Sequence, residues 1–225
     1  IALADVFVIF DTVQYLKKDW NNRNRIKTEK GSIWLTVPVY TKGKFTQSLR
    51  EVKIDNTVPW KRKHLKSMEV NYRKSPYFED YIHFFRDLYS KDWDCLTDLN
   101  NEILLFLLGE IGINVKILYG HDLNLEGDKS DLVLDMCKKL KADTYVFGEL
   151  GRDYADVEKF EAQGIAVYFQ NYKHPIYSQQ FGDFISHLSA IDLFFNYGKE
   201  SFRKIMEGNV KKEDIETMFC VKNKK

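Results

Sequence analysis

The chain has 225 residues, 44% of them hydrophobic and 15% aromatic, with 34 Lys and Arg against 33 Asp and Glu for a formal net charge of +1. So even a balance argues against nucleic acid or an anionic membrane surface as an obligatory partner, although residues 17–30 carry six Lys or Arg against two acids. No stretch approaches ~20 consecutive apolar residues, so no membrane span is expected, and Cys95, Cys137 and Cys220 lack any metal-binding spacing and read as free thiols of a reducing, cytoplasmic compartment.

The first residue is Ile, and IALA reads as the last turn of a helix, so an N-terminal segment is expected to precede the chain. DVFVIF (5–10) is a short apolar run of strand type. SIWLTVPVY (32–40) alternates and contains Pro38, which suits an edge; SLREVKID (48–55) alternates as well and is expected to pair with it as a hairpin. From Pro59 to Gly112 the sequence reads as helical. Ser75-Pro76 is a start signal, and Leu96, Leu99, Ile103, Leu107 and Ile111 form a stripe that Leu104, Leu105 and Phe106 widen toward full burial. Beyond it the rhythm becomes strand, helix, strand, helix, strand. The strands are VKILYG (115–120), TYVFG (144–148) and IAVYFQ (165–170), and Ser130 is expected to cap the first helix. Helices at 188–198 and after it close the chain. This order implies an α/β fold, a parallel-sheet three-layer core in one domain over 1–225, with a helical insertion at about 58–112 and C-terminal helices.

In open parallel sheets, ligands bind beyond the carboxyl ends of the strands, and three polar clusters follow strands here. The loops are expected to converge on one rim. VQYLKKDWNNRN (13–24) follows the first strand and Asp11, and holds two aromatics, four amides and three cations. Gln14, Tyr15, Trp20, Asn22, Arg23, Asn24 and, beyond them, Lys27 are candidate binding residues: amides both donate and accept, Arg is a planar fork, and aromatics offer a face. A bland alternative is a surface loop whose Asn side chains satisfy its own turns. GELGRDY (148–154) offers Gly148, Arg152, Asp153 and Tyr154, but it is neither GxGxxG nor a P-loop and is equally well a bare turn. NYKHPIY offers His174 and Tyr177.

Asp192 is an acid within an apolar helix, and such groups are rarely buried unpaired; it reads either as an internal clamp or as a ligand group meeting Arg23 or Arg152. His64 lies among Lys and Arg, a setting that suits an exposed side chain more than a catalytic one. No HxxxH, HExxH or GxSxG spacing points to a metal or a serine nucleophile, and no cofactor motif is present.

At these residues the chain resembles the WbqC-like family of bacterial surface-polysaccharide gene clusters. The matching phrases are ADVFVIFDTVQYLKKDWNNRNRIKT, WLTVPV, the run from Trp60 to Phe78 ending KSPYF, and FQNYKHPIYSQQF leading into LSAIDLFFNYG. They cover nearly the whole chain in order. Family members usually begin with a strand and a QPxYxPWLGYF-like phrase, which this chain lacks and which is similar to the first strand and turn of nucleotidylyltransferase-like (HUP) folds, an analogy of fold alone. The resemblance implies acyl or aminoacyl transfer to a nucleotide-linked or lipid-linked amino sugar in O-antigen-type biosynthesis, with a nucleotide-sugar or acyl donor as the small-molecule partner. On that reading Arg23 and Arg152 hold phosphates, Trp20 and Tyr15 stack on base or sugar, and His64 or Asp11 takes a proton. The alternative is a non-catalytic accessory protein of a sugar-modifying enzyme.

Overall fold

A computed structural model describes residues 1–220, the side chain of Cys220 excepted, so the thiol expected there lies outside the described residues. The chain forms two compact units. Of the described residues, the first contains 1–11, 113–173 and 206–220; the second contains 12–112 and 174–205.

The first unit is α/β, as the apolar runs predict. β1 (Val6–Ile9) pairs in parallel with β4 (Lys116–Tyr119), Val6 opposite Lys116 and Ile9 opposite Tyr119. β5 (Thr144–Phe147) pairs in parallel with β6 (Ala166–Phe169). The sheet is thus two short parallel pairs, with no ladder joining them among the described residues. α4 (Lys129–Leu140) lays Val133, Met136 and Cys137 into a core with Val8, Phe147, Phe160 and Ile165. Ser130 does not cap this helix, which starts at Lys129, two residues before the Asp131 start that a Ser130 cap implies; its hydroxyl accepts from the Asp156 amide 2.9 Å away. Asp156 caps α5 (Val157–Glu161), which connects β5 to β6. α8 (Lys212–Cys220) is tied to the start of the chain by an ion pair from Lys212 to Asp5. IALA forms a turn, Ala4 N–H donating to the Ile1 carbonyl, and not a helix end.

The second unit is helical around one hairpin, in which SIWLT pairs mainly with the residues before it. β2 (Arg23–Thr28) and β3 (Gly31–Thr36) pair antiparallel through a tight turn at Glu29 and Lys30. Gly31 there takes φ +110°, a backbone that L side chains rarely adopt. Residues 48–55 make a 3-10 turn and meet SIWLTVPVY only at its end, where Val39 bridges Ile54 antiparallel, Tyr40 N–H donates to the Lys53 carbonyl and Asp55 N–H to the Pro38 carbonyl; Lys53 also bridges Cys95. That pairing stays short beside Pro38, which has no N–H to donate.

α1 (Trp60–Tyr72) buries Trp60, His64, Met68 and Tyr72, a stripe at every fourth residue. α2 (Phe78–Ser90) buries Phe78, Tyr81, Ile82, Phe85 and Leu88. α3 (Leu96–Glu110) buries Leu96, Leu99 and Leu108, but Leu105 is 49% exposed, so the helix is one-sided and not fully enclosed. α6 (Ala190–Tyr197) and α7 (Ser201–Met206) follow the irregular 174–189 segment. Aromatic pairs fill this core: Tyr72 with Phe195 at 5.0 Å, Tyr81 edge-on to Phe194 at 5.4 Å, and Phe84 stacked on Phe106 at 3.6 Å. Among the described residues, no helix is long and apolar enough to cross a membrane.

Candidate functional site

In the first unit, the register of β1 and β4 continues past the ladder. Two residues beyond Ile9 lies Asp11, and two residues beyond Tyr119 lies His121. They meet. Asp11 Oδ1 accepts from the His121 backbone N–H at 3.1 Å, and Asp11 Oδ2 lies 2.5 Å from His121 Nδ1. Asp11 is buried, whereas the His121 side chain is about one-third exposed. Accepting from Nδ1–H, the Asp11 carboxylate sets the orientation of the ring, and Nε2 lies 3.4 Å from the exposed carboxylate of Asp122. An aspartate orienting an imidazole and stabilising its protonated form is the arrangement that makes histidine an effective general base. It stands at the carboxyl ends of parallel strands, where α/β folds bind ligands. Sequence reasoning singled out Asp11 and missed His121. The signal was GHD directly after VKILY, the same strand-then-polar pattern used for the other loops.

GELGRDY is a 3-10 turn (Glu149–Asp153) in this unit. Its Gly151 is required by packing, since a Cβ there would lie 2.6 Å from the Phe147 side chain. Arg152 lies over the Phe169 ring at 4.6 Å, a cation–π contact. Gly148, Asp153 and Tyr154 are exposed beside it.

In the second unit, most of VQYLKKDWNNRN is spent on its own geometry. Asp19 caps the 3-10 turn Trp20–Asn22 and accepts from Asn21. Buried Asn22 donates to the Val37 carbonyl at 2.8 Å, and Asn24 Oδ1 accepts from the Arg25 amide. Gln14 donates to the Phe45 carbonyl, and Tyr15 is buried in the core. Arg23 donates to the carbonyls of Lys18 and Asp19. What faces outward is a cation–aromatic patch: Trp20 and Trp34 are exposed, their rings 5.1 Å apart, with the Arg23 guanidinium 4.2 Å from the Trp34 ring.

His64 lies inside, 6% exposed, between Trp60 and Tyr89, its Nε2 3.0 Å from the Thr36 carbonyl. Burial pushes its pKa down to about 4, only partly opposed by that carbonyl. His174 is likewise engaged: Nδ1–H donates to the Pro175 carbonyl and Nε2 accepts from the His187 amide.

Asp192 is fully buried and is a clamp. Tyr72 O–H donates to its Oδ1 at 2.7 Å and Tyr177 O–H to its Oδ2 at 2.9 Å. Lys27, also buried, donates from Nζ to Gln179 Oε1 and the Asp183 carbonyl, and its backbone N–H donates to Tyr72 Oη. The Gln179 side chain in turn favours the Asp192 carboxylate. Burial pushes the Asp192 carboxyl up and its three side-chain donors pull it back; burial is the larger effect. Three residues singled out from sequence, Lys27, Tyr177 and Asp192, thus meet in one network, with neither Arg23 nor Arg152 as Asp192's partner. Tyr72 and Gln179 were missed.

The three loops expected at one rim divide between the units. Asp11 and residues 148–154 belong to the first, residues 12–24 and 174–177 to the second. The second unit also holds an open cleft of about 520 Å³ between Tyr77, Gln180, Asn196, Tyr197 and Arg203, none of them singled out from sequence. Among the described residues, no group of three or more His, Cys, Asp or Glu is placed to hold a metal ion.

Residues 1–204 match the model of the WbqC-like protein family. The chain is 36% identical over 203 residues to "Uncharacterized protein Rv1507c" of Mycobacterium tuberculosis (strain ATCC 25618 / H37Rv), a match covering 89% of this chain and 87% of that protein. No solved structure matches.

Proposed function

The chain belongs to the WbqC-like protein family, and on that premise we propose that it is a cytoplasmic transferase adding an acyl or aminoacyl group to the amine of a nucleotide-linked or lipid-linked amino sugar, in surface-polysaccharide biosynthesis. The observation that carries the reading is the Asp11–His121 pair. In the proposed step, the sugar amine attacks the acyl carbon of the donor and an N–C bond forms. The leaving group departs with the bonding electron pair, and His121 Nε2 takes the proton released from nitrogen. Asp11 keeps the ring in that tautomer and offsets the positive charge it gains. Asp11 acts here through His121, a refinement of its expected role as the proton acceptor itself.

The test is turnover of a panel of nucleotide-linked amino sugars with acyl and aminoacyl donors, followed by mass spectrometry, on the wild type, His121→Gln and Asp11→Asn. Both variants are expected to lose turnover by about 10²-fold or more while unfolding cooperatively like the wild type. Unchanged turnover in His121→Gln ends the reading. A second reading, a non-catalytic partner of a sugar-modifying enzyme, is favoured by the exposed Leu16, Trp20, Trp34 and Phe45. It predicts co-purification with that enzyme and an associated activity indifferent to His121.

A further inference from the structure

We infer that the cleft of the second unit is a carbohydrate site that takes an uncharged pyranose ring. It bears on neither the Asp11–His121 pair nor the transferase reading, and stands or falls separately.

The cleft is pre-built. Gly198 has φ +55°, and a Cβ on it would come within 2.6 Å of the Tyr77 ring, so that ring rests directly on backbone. The Tyr77 N–H donates to the Phe195 carbonyl at 3.0 Å, which ties the residue to α6. Opposite, Tyr197 Oη accepts from the Ser178 amide at 3.1 Å, and its ring is edge-on to Tyr177 at 5.8 Å. Aromatic walls held in this way offer apolar faces to a ring at little cost in lost side-chain freedom.

Between them the polar groups are amides with capacity to spare. Gln180 Nε2 donates to Asn196 Oδ1 across a long 3.4 Å, and among the described residues that is the bond its side chain makes. Asn196 Nδ2 is committed to the Asp192 carbonyl at 2.7 Å. Side-chain amides pair one donor and one acceptor at a spacing that suits vicinal hydroxyls, each of which both donates and accepts. Charge then narrows the ligand. The two charged residues lining the cleft, Arg203 and Glu200, are paired at 2.8 Å and cancel, and Lys204 lies 5.8 Å from the Tyr197 ring. Purely apolar ligands would strand the amides. A volume of about 520 Å³ falls within the range of small-molecule sites. Hydroxylated, uncharged and flat on one face, a pyranose satisfies all three demands.

Saturation-transfer NMR on the full chain with the methyl glycosides of glucose, galactose and N-acetylglucosamine tests this, with inorganic phosphate as a competitor. At least one glycoside is expected to receive saturation and to bind at millimolar strength or better. Gln180→Ala should weaken it about ten-fold, and phosphate should not displace it. His121→Gln should leave it unchanged, which separates this site from the proposed chemistry. An equal unfolding midpoint for Gln180→Ala and the wild type certifies the fold. Absence of transfer to all three glycosides up to about 10 mM, transfer indifferent to Gln180→Ala, or displacement by phosphate would each overturn the assignment.

Discussion

Replacing His64 by Gln tests whether this histidine is a neutral core residue. Its side chain is 6% exposed, with Nε2 3.0 Å from the Thr36 carbonyl. In the unfolded chain it titrates near 6.5, and in the fold near 4. A folded pKa below the unfolded one means that the stabilisation is fully present above 6.5 and is lost as pH falls toward 4. Each pH unit across that window is worth about 1.4 kcal/mol, so about 2 kcal/mol is lost by pH 5 and roughly 3 kcal/mol in all. His64→Gln keeps an N–H that can donate to Thr36 and cannot take up the proton. Urea unfolding of both proteins at pH 7.5 and pH 5 measures the gap between them. The wild type's advantage is expected to shrink by about 2 kcal/mol at the lower pH. A gap constant to within about 0.5 kcal/mol, below the one-unit worth of a proton, would show that His64 is protonated alike in both states and would refute the reasoning.

Asp192→Asn is expected to show the opposite trend. The carboxyl's pKa is raised by burial above its ordinary 3.8, so its contribution is fully present below 3.8 and is lost as pH rises through the raised value. The wild type should gain on the Asn variant on acidification, as read by the same urea titrations; a gain on alkalinisation would contradict the order of causes. Gly198→Ala places a Cβ 2.6 Å from the Tyr77 ring at φ +55°. The loss expected in thermal or urea unfolding is about 2–3 kcal/mol, and a loss under about 0.5 kcal/mol would show that Tyr77 does not rest on that backbone.

The parts of this fold that were legible share one property: their signal is local. VFVI, KILY, TYVF and AVYF are short apolar runs, and each is a strand. RNRIKT was not legible as a strand, because Ile26 is its one apolar residue. Its polar groups find their partners about 150 residues away: Arg25 at the carbonyls of Ser186 and His187, Lys27 at Gln179 and Asp183. A reader of the local sequence sees four solvent-seeking side chains where the fold has one buried Lys and a hairpin. His64 fails for a related reason. Its Lys and Arg neighbours suggested exposure, yet Trp60, His64, Met68 and Tyr72 recur at a spacing of four and form the buried stripe. Periodicity outranks neighbours on a helix. His121 was missed since its partner, Asp11, is 110 residues distant, and only the parallel register of β1 and β4 brings them together.

The buried network gives a reason for residues that looked like ligand groups and are not exposed to any ligand. Lys27 and Asp192 are both inside, yet they are not a direct ion pair; Gln179 accepts from Lys27, and its side chain favours the carboxylate. Buried charges of this kind contribute little net stability and strongly disfavour alternative arrangements, because each donor left unmatched is costly. Here the penalty fixes the irregular 174–189 segment, which has no ladder of its own: Tyr177 and Gln179 are held from within by Asp192, Lys27 and the Ile185 backbone. Gln179, anchored on this network, also lines the cleft together with its neighbours Ser178 and Gln180. The clamp and the cleft share one segment, so Tyr72, which holds Asp192 and packs on Phe195, is tied to the cleft through Asp192 and Tyr177, whose ring meets Tyr197 edge-on.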